Sequence, residues 1–248
     1  MNPVPRAVNF GRLAAEYDRV RPVDDNWREV YELVVEEGDL RGRRVLDCGC
    51  GTGRLSHALA ESAASKVWGI DPEPEMLRVA AGNVPPGVGL KSGRAEDLPF
   101  RDGWFERAVL WLVCHLVDRQ VAFRELRRVL APDGRLVVVT FDPAHFGEFW
   151  LNQFFPTLEA VDRARFPDAD ELNAQLADAG FADVRLLRHS QRASITREQA
   201  IERIEQRHIS TFDLLEPDEV ARGTQLALDQ LPSTIEYAIE WLVAVAER

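Results

Sequence analysis

Four residues in the stretch VLDCGCGTGRL (45–55), Asp47, Gly49, Gly51 and Gly53, have the types and spacing of a ligand-binding loop. They follow a short apolar run and precede a helical pattern. Glycines at such a corner permit positive φ and let backbone N–H groups come close to a ligand. The helix that follows presents its positive dipole end to the same place. In a doubly wound sheet this corner opens onto the crevice at the strand C-termini, where nucleotide cofactors sit. The dinucleotide fingerprint G-x-G-x-x-G would need glycine at position 54, and Arg54 stands there. The spacing is G-x-G-x-G instead. Asp71 closes the next apolar run in VWGIDPEPEML, at the distance where an acidic side chain meets the two hydroxyls of a ribose. It is equally placed to cap the helix that starts in PEPEML, and the two roles are compatible. His115 ends a further apolar run, LWLVCHL, and is the candidate general base by its ordinary pKa range. A histidine simply hydrogen-bonded at a strand end is the other reading. His145, in FDPAHFGEFW, is a second histidine that could face the same pocket.

The elements that must hold these residues alternate along the chain. RVLDC, KVWGID, VGLKSG, ERAVLWLVCHL and RLVVVTFD read as strands, separated by the helical patterns RLSHALAES, PEPEMLRVAAGN and RQVAFRELRRVLAPDG. Strands alternating with helices make βαβ units and a parallel sheet with helices on both faces. In the last of these helices Val121, Phe123, Leu126, Val129 and Leu130 form the expected buried side. The stretch before about Glu37 reads as two helices broken at Pro22. DELNAQLADAGF, TREQAIERIEQRH and EPDEVARGTQLALDQL are helical, and ADVRLLRHS is a sixth strand. In the tail, TIEYAIEWLVAVAE, Ile235, Tyr237, Ile239, Trp241, Val243 and Val245 alternate with the residues between them. A period of two with β-branched and aromatic residues predicts a seventh strand, against a buried terminal helix as the competing reading.

The formal net charge of −11 argues against a nucleic-acid partner, whose phosphates need clustered Lys and Arg. The short basic run Arg41, Arg43 and Arg44 reads as a solvated strand entrance. A small-molecule substrate is expected instead. Three cysteines, Cys48, Cys50 and Cys114, make no disulfide framework and no zinc spacing, so no metal is expected. No apolar run approaches the length of a membrane span, and the first residues carry no apolar signal core. These features predict a cytoplasmic protein without membrane insertion, either monomer or homodimer.

Taken in order and register, VLDCGCGTG, VWGIDPEPEML, GRAEDLPFRDGWFE and VAFRELRRVLAPDGRLVVV resemble the class I S-adenosylmethionine-dependent methyltransferases. They are most similar to the small-molecule branch of ubiquinone/menaquinone biosynthesis methyltransferases. The resemblance runs from about Tyr17 through the fifth strand, and more loosely beyond. It implies a Rossmann-like α/β fold: a seven-stranded, mostly parallel sheet with an antiparallel last strand, helices on both faces and a small helical cap. A single domain over 1–248 is expected, with an N-terminal helical cap at 1–40 and a cofactor-binding core at 41–142. The remaining core, 143–248, would carry cap insertions at about 143–165 and 191–232. The resemblance further implies S-adenosyl-L-methionine as cofactor and S-adenosyl-L-homocysteine as product. Asp47, Gly49, Cys50 and Gly51 would line its methionine part, with Gly53 shaping the turn. Asp71 would take the ribose hydroxyls. Met76 and Pro72 would pack on the adenine, with Ala95 and Glu96 or Asp97 at its edge. Trp111 would lie near the transferable methyl. Tyr17 and Arg21 would close over the cofactor, Arg21 pairing with its carboxylate.

Two positions depart from the family pattern. Arg94 stands where Asp or Asn is usual and cannot accept a hydrogen bond from the adenine amino group. Arg107 is expected to interrupt the start of its strand. The aromatic patch Phe146, Phe149, Trp150, Phe154 and Phe155 either packs the cap or lines an apolar acceptor pocket, and Arg203 with Arg207 could receive a carboxylate. An NAD(P)-dependent oxidoreductase and a non-catalytic S-adenosylmethionine-binding protein are the alternative functions.

Overall fold

The computed structural model describes residues 8–14, 16–21, 23–64 and 66–248. Seven strands form one sheet: β1 Arg44–Cys48, β2 Lys66–Asp71, β3 Gly89–Ser92, β4 Phe105–Trp111, β5 Leu130–Phe141, β6 Ala182–Thr196 and β7 Thr234–Glu247. Their order is β3-β2-β1-β4-β5-β7-β6. β1 to β5 pair in parallel, and β7 runs antiparallel to both β5 and β6. The period of two in the C-terminal tail thus becomes the expected seventh strand. The chain turns back between β1 and β4, which makes their C-terminal ends the switch point where α/β sheets bind ligands.

The helices are α1 Phe10–Leu13, α2 Tyr17–Val20, α3 Asp25–Glu37, α4 Arg54–Ser62, α5 Pro74–Asn83, α6 Arg119–Val129, α7 Leu158–Arg163, α8 Ala169–Asp178, α9 Arg197–Glu205 and α10 Pro217–Gln230. The N-terminal stretch therefore holds three helical segments rather than two, and Pro22 lies outside the described residues. Strands buried on both faces need apolar residues at successive positions. Leu136 and Val138 face one cluster with Phe123, Leu126 and Leu172, while Val137 and Val139 face another with Val34 and Leu59. α6 turns Ala122, Phe123, Leu126 and Val129 inward, and Val121 is 39% exposed, against expectation. Two residues along a helix are about 200° apart, so Val121 and Phe123 cannot share a face.

Arg107 does not interrupt β4, which begins at Phe105 and runs through it. Its side chain is buried and donates to the carbonyls of Gly38 (2.9 Å) and Glu106 (2.7 Å) while pairing with Asp39. The basic run before β1 is neutralised rather than merely solvated: Arg41 meets Glu32 at 2.9 Å and Arg43 meets Asp39 at 2.7 Å. β6 extends beyond the expected ADVRLLRHS to Thr196, and α9 follows it directly. Trp150, Phe154 and Phe155 share one buried cluster with Ile204, Phe212 and Ile235. Among the described residues no helix is long and apolar enough to cross a membrane.

Candidate active site

The loop from β1 to α4 hangs from the tip of β2. Gly49 and Cys50 both donate their N–H groups to the Ile70 carbonyl, at 2.8 and 2.9 Å. Gly49 and Gly53 are required by close packing: a Cβ at Gly49 would meet Val113 at 2.5 Å, and one at Gly53 would meet Val84 at 2.8 Å. Gly51 differs. Its φ is +54°, yet a Cβ there would have nothing within 4 Å. Its N–H donates to Asp71 Oδ2 at 2.9 Å, and the Glu73 N–H donates to Oδ1 at the same distance. Asp71 therefore holds the turn that leads into α5 rather than capping the helix, whose N-cap is Glu73, and both its oxygens keep a further lone pair for other donors. Burial raises its pKa, against the two backbone bonds that lower it.

Asp47 lies fully inside the sheet end and accepts a hydrogen bond from Ser56 Oγ at 2.6 Å. Among the described residues no cation pairs with it. Burial pushes its pKa up to about 7; the Ser56 bond opposes this and the charge of Asp71 adds to it. Such a carboxyl is primed to ionise when a cation arrives.

The N-terminal helices close over this loop. Thr52 Oγ1 donates to Asp18 at 2.6 Å, and Asn83 bridges Asp18 and the Thr52 carbonyl. Arg21 lies over the Tyr17 ring at 4.2 Å and donates to the His208 carbonyl, while Arg54 donates to the Arg21 carbonyl. Tyr17 and Arg21 are thus brought to the glycine loop.

Met76 is buried in α5 and Pro72 is exposed before it. Ala95 is buried; Glu96 accepts from the Asp118 N–H at 3.1 Å and from Arg94 at 3.4 Å. Arg94 is turned outward, with 64% of its side chain exposed, and its guanidinium pairs with Glu96. Glu125 and Arg128 of α6 pin this loop, Glu125 accepting from the Leu98 N–H and Arg128 donating to the Leu98 and Phe100 carbonyls. Trp111 stacks on Trp27 at 5.5 Å and meets Trp241 edge-on. Next to it, Leu112 holds a left-handed backbone with φ +52°, a conformation that costs a branched residue about 1 kcal/mol or more.

His115 follows on the same segment. Its ring stacks on Phe166 at 4.0 Å and 14°, and its Nδ1 is enclosed with no hydrogen-bond partner. Burial, then the positive charges of Arg165, Arg21 and Arg119, hold its pKa well below the usual histidine range. That is the setting of a neutral hydrogen-bonding group, since a general base works best near the operating pH. His145 is exposed in a 3-10 turn after β5. Arg203 donates to the Tyr237 hydroxyl and Arg207 sits 3.6 Å from Asp213. Burial pushes all three thiols up, and no group of metal-binding residues occurs among the described residues. A groove between α9 and α10, lined by Ile204, Arg207, Val220 and Thr224, takes none of its lining from the glycine loop.

A methyltransferase domain model matches residues 46–138, from β1 into β5. Demethylmenaquinone methyltransferase of Geobacillus kaustophilus is 30% identical over 206 residues, covering 71% of this chain and 87% of that protein. The chain belongs to the methyltransferase family. An uncharacterized methyltransferase of Mycobacterium tuberculosis is 36% identical over 133 residues, 54% of this chain. The match spans 52% of that relative, about half its length. The YcgJ protein of Bacillus subtilis shares the fold, with a TM-score of 0.64 at 21% identity over 89% of this chain and 98% of that one.

Reading the sequence missed Asp18, Thr52, Ser56 and Asn83, which tie α2, α4 and α5 to the loop and to the end of β1. Thr52 and Ser56 were visible as hydroxyls beside the glycines. Asp18 and Asn83 carry no local signal, because their partners lie 34 and 65 residues away.

Proposed function

We propose that this chain binds S-adenosylmethionine at the glycine loop and transfers its methyl group to a small-molecule acceptor. The observation that carries the reading is the pairing of Gly51 with Asp71: an unobstructed backbone beside a carboxylate that two N–H groups fix and two lone pairs leave available. Asp71 would accept from both ribose hydroxyls. Asp47, buried without a cation, would meet the ammonium of the methionine part, with Gly49, Cys50 and Gly51 around it and Gly53 turning the chain into α4. Met76, Pro72, Ala95 and Glu96 would bound the adenine. Tyr17 and Arg21 would close the site from above, and Trp111 would back its floor through Trp27 and Trp241.

When bound, the cofactor supplies an electrophilic methyl on a sulfonium. The chain's own work is then alignment and exclusion of water, which well-oriented reactions turn into ~7–11 kcal/mol of barrier lowering. The N-terminal helices exclude water through Asp18, Thr52 and Asn83. The net charge of −11 supports a small molecule over a nucleic acid, and three free buried cysteines suit a reducing cytoplasm.

Calorimetric titration tests the cofactor assignment. Saturable binding of S-adenosylhomocysteine, with no response to NAD+ or NADP+, is expected. Binding of a nicotinamide dinucleotide with no response to S-adenosylhomocysteine would contradict it.

A further inference from the structure

One buried amide, on the sheet's edge strand, holds both ring neighbours of Trp111. Trp111 is the last residue of β4 and stays partly exposed, whereas Trp27 on α3 and Trp241 on β7 are buried. Trp27 stacks on Trp111 at 5.5 Å and 29°, and Trp241 meets it edge-on at 6.1 Å and 68°. Three elements far apart in sequence thus converge on a single indole. Aromatic pairs accept a broad range of offsets and tilts, so ring packing by itself leaves the angle of Trp111 loosely set.

Gln191 of β6 supplies the missing constraint. It is 4% exposed. Its Nε2 donates to the Asn26 carbonyl at 2.9 Å and to the Glu29 carboxylate at 2.7 Å, and its Oε1 accepts from Trp241 Nε1 at 2.8 Å. Asn26 and Glu29 lie on either side of Trp27 in α3. Both N–H groups of the amide therefore grip the start of the helix that carries Trp27, while its oxygen grips the indole of Trp241. A methionine or leucine would fill the same space without an amide to bury, and burying an amide is costly unless its hydrogen bonds are met. Here they are met, and by the two rings' own supports. A buried polar network with every member satisfied is rigid.

We propose that Gln191 is a positioning residue, which fixes Trp27 and Trp241 about Trp111 and so sets the angle at which Trp111 presents its ring to the sulfonium. That a sulfonium lies there rests on the function proposed above; the hold on the rings rests on these contacts alone. A ring face attracts a cation and has no such pull on a neutral thioether. The signature of Gln191 is therefore a changed preference between S-adenosylmethionine and S-adenosylhomocysteine, where a residue that only supports the fold would weaken both alike.

The test titrates both compounds into each variant and records near-ultraviolet circular dichroism of the free protein, which reports the tryptophan surroundings. Gln191→Met keeps the volume and removes all three hydrogen bonds. It should lower the affinity for S-adenosylmethionine relative to S-adenosylhomocysteine by about two- to fivefold, the scale of one cation–π contact, and change the dichroism. Gln191→Asn, which withdraws the amide by one methylene, is the milder variant and should shift both readouts in the same direction. Trp111→Leu should shift the ratio equally, and adding Gln191→Met to it should shift it no further, because residues acting through one contact are not additive. Gln191→Glu sets a carboxylate against Glu29 and should behave like Gln191→Met. Combining it with Glu29→Gln restores a donor to that pair, leaves the acceptor for Trp241 in place, and should recover most of the ratio. An equal loss of affinity for both compounds in the Gln191 variants, or a Gln191→Met effect that persists in full on Trp111→Leu, would overturn the proposal. A wild type that binds neither compound would lose the cofactor assignment, while dichroism changed in Gln191→Met and restored in the exchanged pair would keep the hold of Gln191 on the rings.

Discussion

Replacing Gly51 by alanine separates the ligand role of the loop from its folding role. Gly51 and Gly42 both hold positive φ, +54° and +71°, and a methyl group at either would touch nothing within 4 Å. Left-handed backbone costs an alanine about 1–2 kcal/mol at each position. For a chain of this size that lowers Tm by about 2–8 °C in both variants. Only Gly51 lies beside Asp71. At a concentration of S-adenosylhomocysteine 100 times its Kd, binding stabilises the wild type by about 2.7 kcal/mol. A tenfold weaker site leaves about 1.4 kcal/mol at the same concentration. Thermal-shift curves with and without the ligand should therefore show an undiminished ligand shift in Gly42→Ala and a shift cut to about half in Gly51→Ala. Equal ligand shifts in the two variants would refute the idea that the open space at Gly51 receives the cofactor.

Two further outcomes follow from buried charge. Asp47 has its folded pKa raised to about 7 from an ordinary value near 4. Its stabilising contribution is therefore complete below about pH 4 and is lost as pH rises through 7, an effect on the order of 4 kcal/mol. Asp47→Asn removes that loss, so its Tm relative to wild type should climb between pH 4 and 8 while its affinity for S-adenosylhomocysteine falls; a difference that does not change with pH would contradict the assignment. Arg107→Met strips the donors from the Gly38 and Glu106 carbonyls and should cost about 2–3 kcal/mol, read from urea melts, with the ligand shift of the surviving fold unchanged.

The parts of this protein written in short spacings were legible. The glycine loop, Asp71 and the period of two in the tail each depend on neighbours a few residues away, and the alternation of strands and helices announced the parallel pairing of β1 to β5. Val121 was misplaced because a run of apolar residues conceals which of them faces inward. Arg107 read as an interruption because its partners, Gly38 and Asp39, lie at the end of α3, 69 and 68 residues back. The surroundings of His115 were invisible for the same reason: Phe166 and Arg165 arrive from a segment 50 residues later, and only the fold places them on its ring. The segment 143–153 forms 3-10 turns, whose short length leaves no periodicity to detect.

A crystal structure of the protein soaked with S-adenosylhomocysteine tests the central claim most directly. The ribose hydroxyls should lie within hydrogen-bonding distance of the Asp71 carboxylate, and the amino-acid end should run past Gly51 to Asp47. Ligand density in the groove between α9 and α10, with Asp71 and Gly51 untouched, would contradict it.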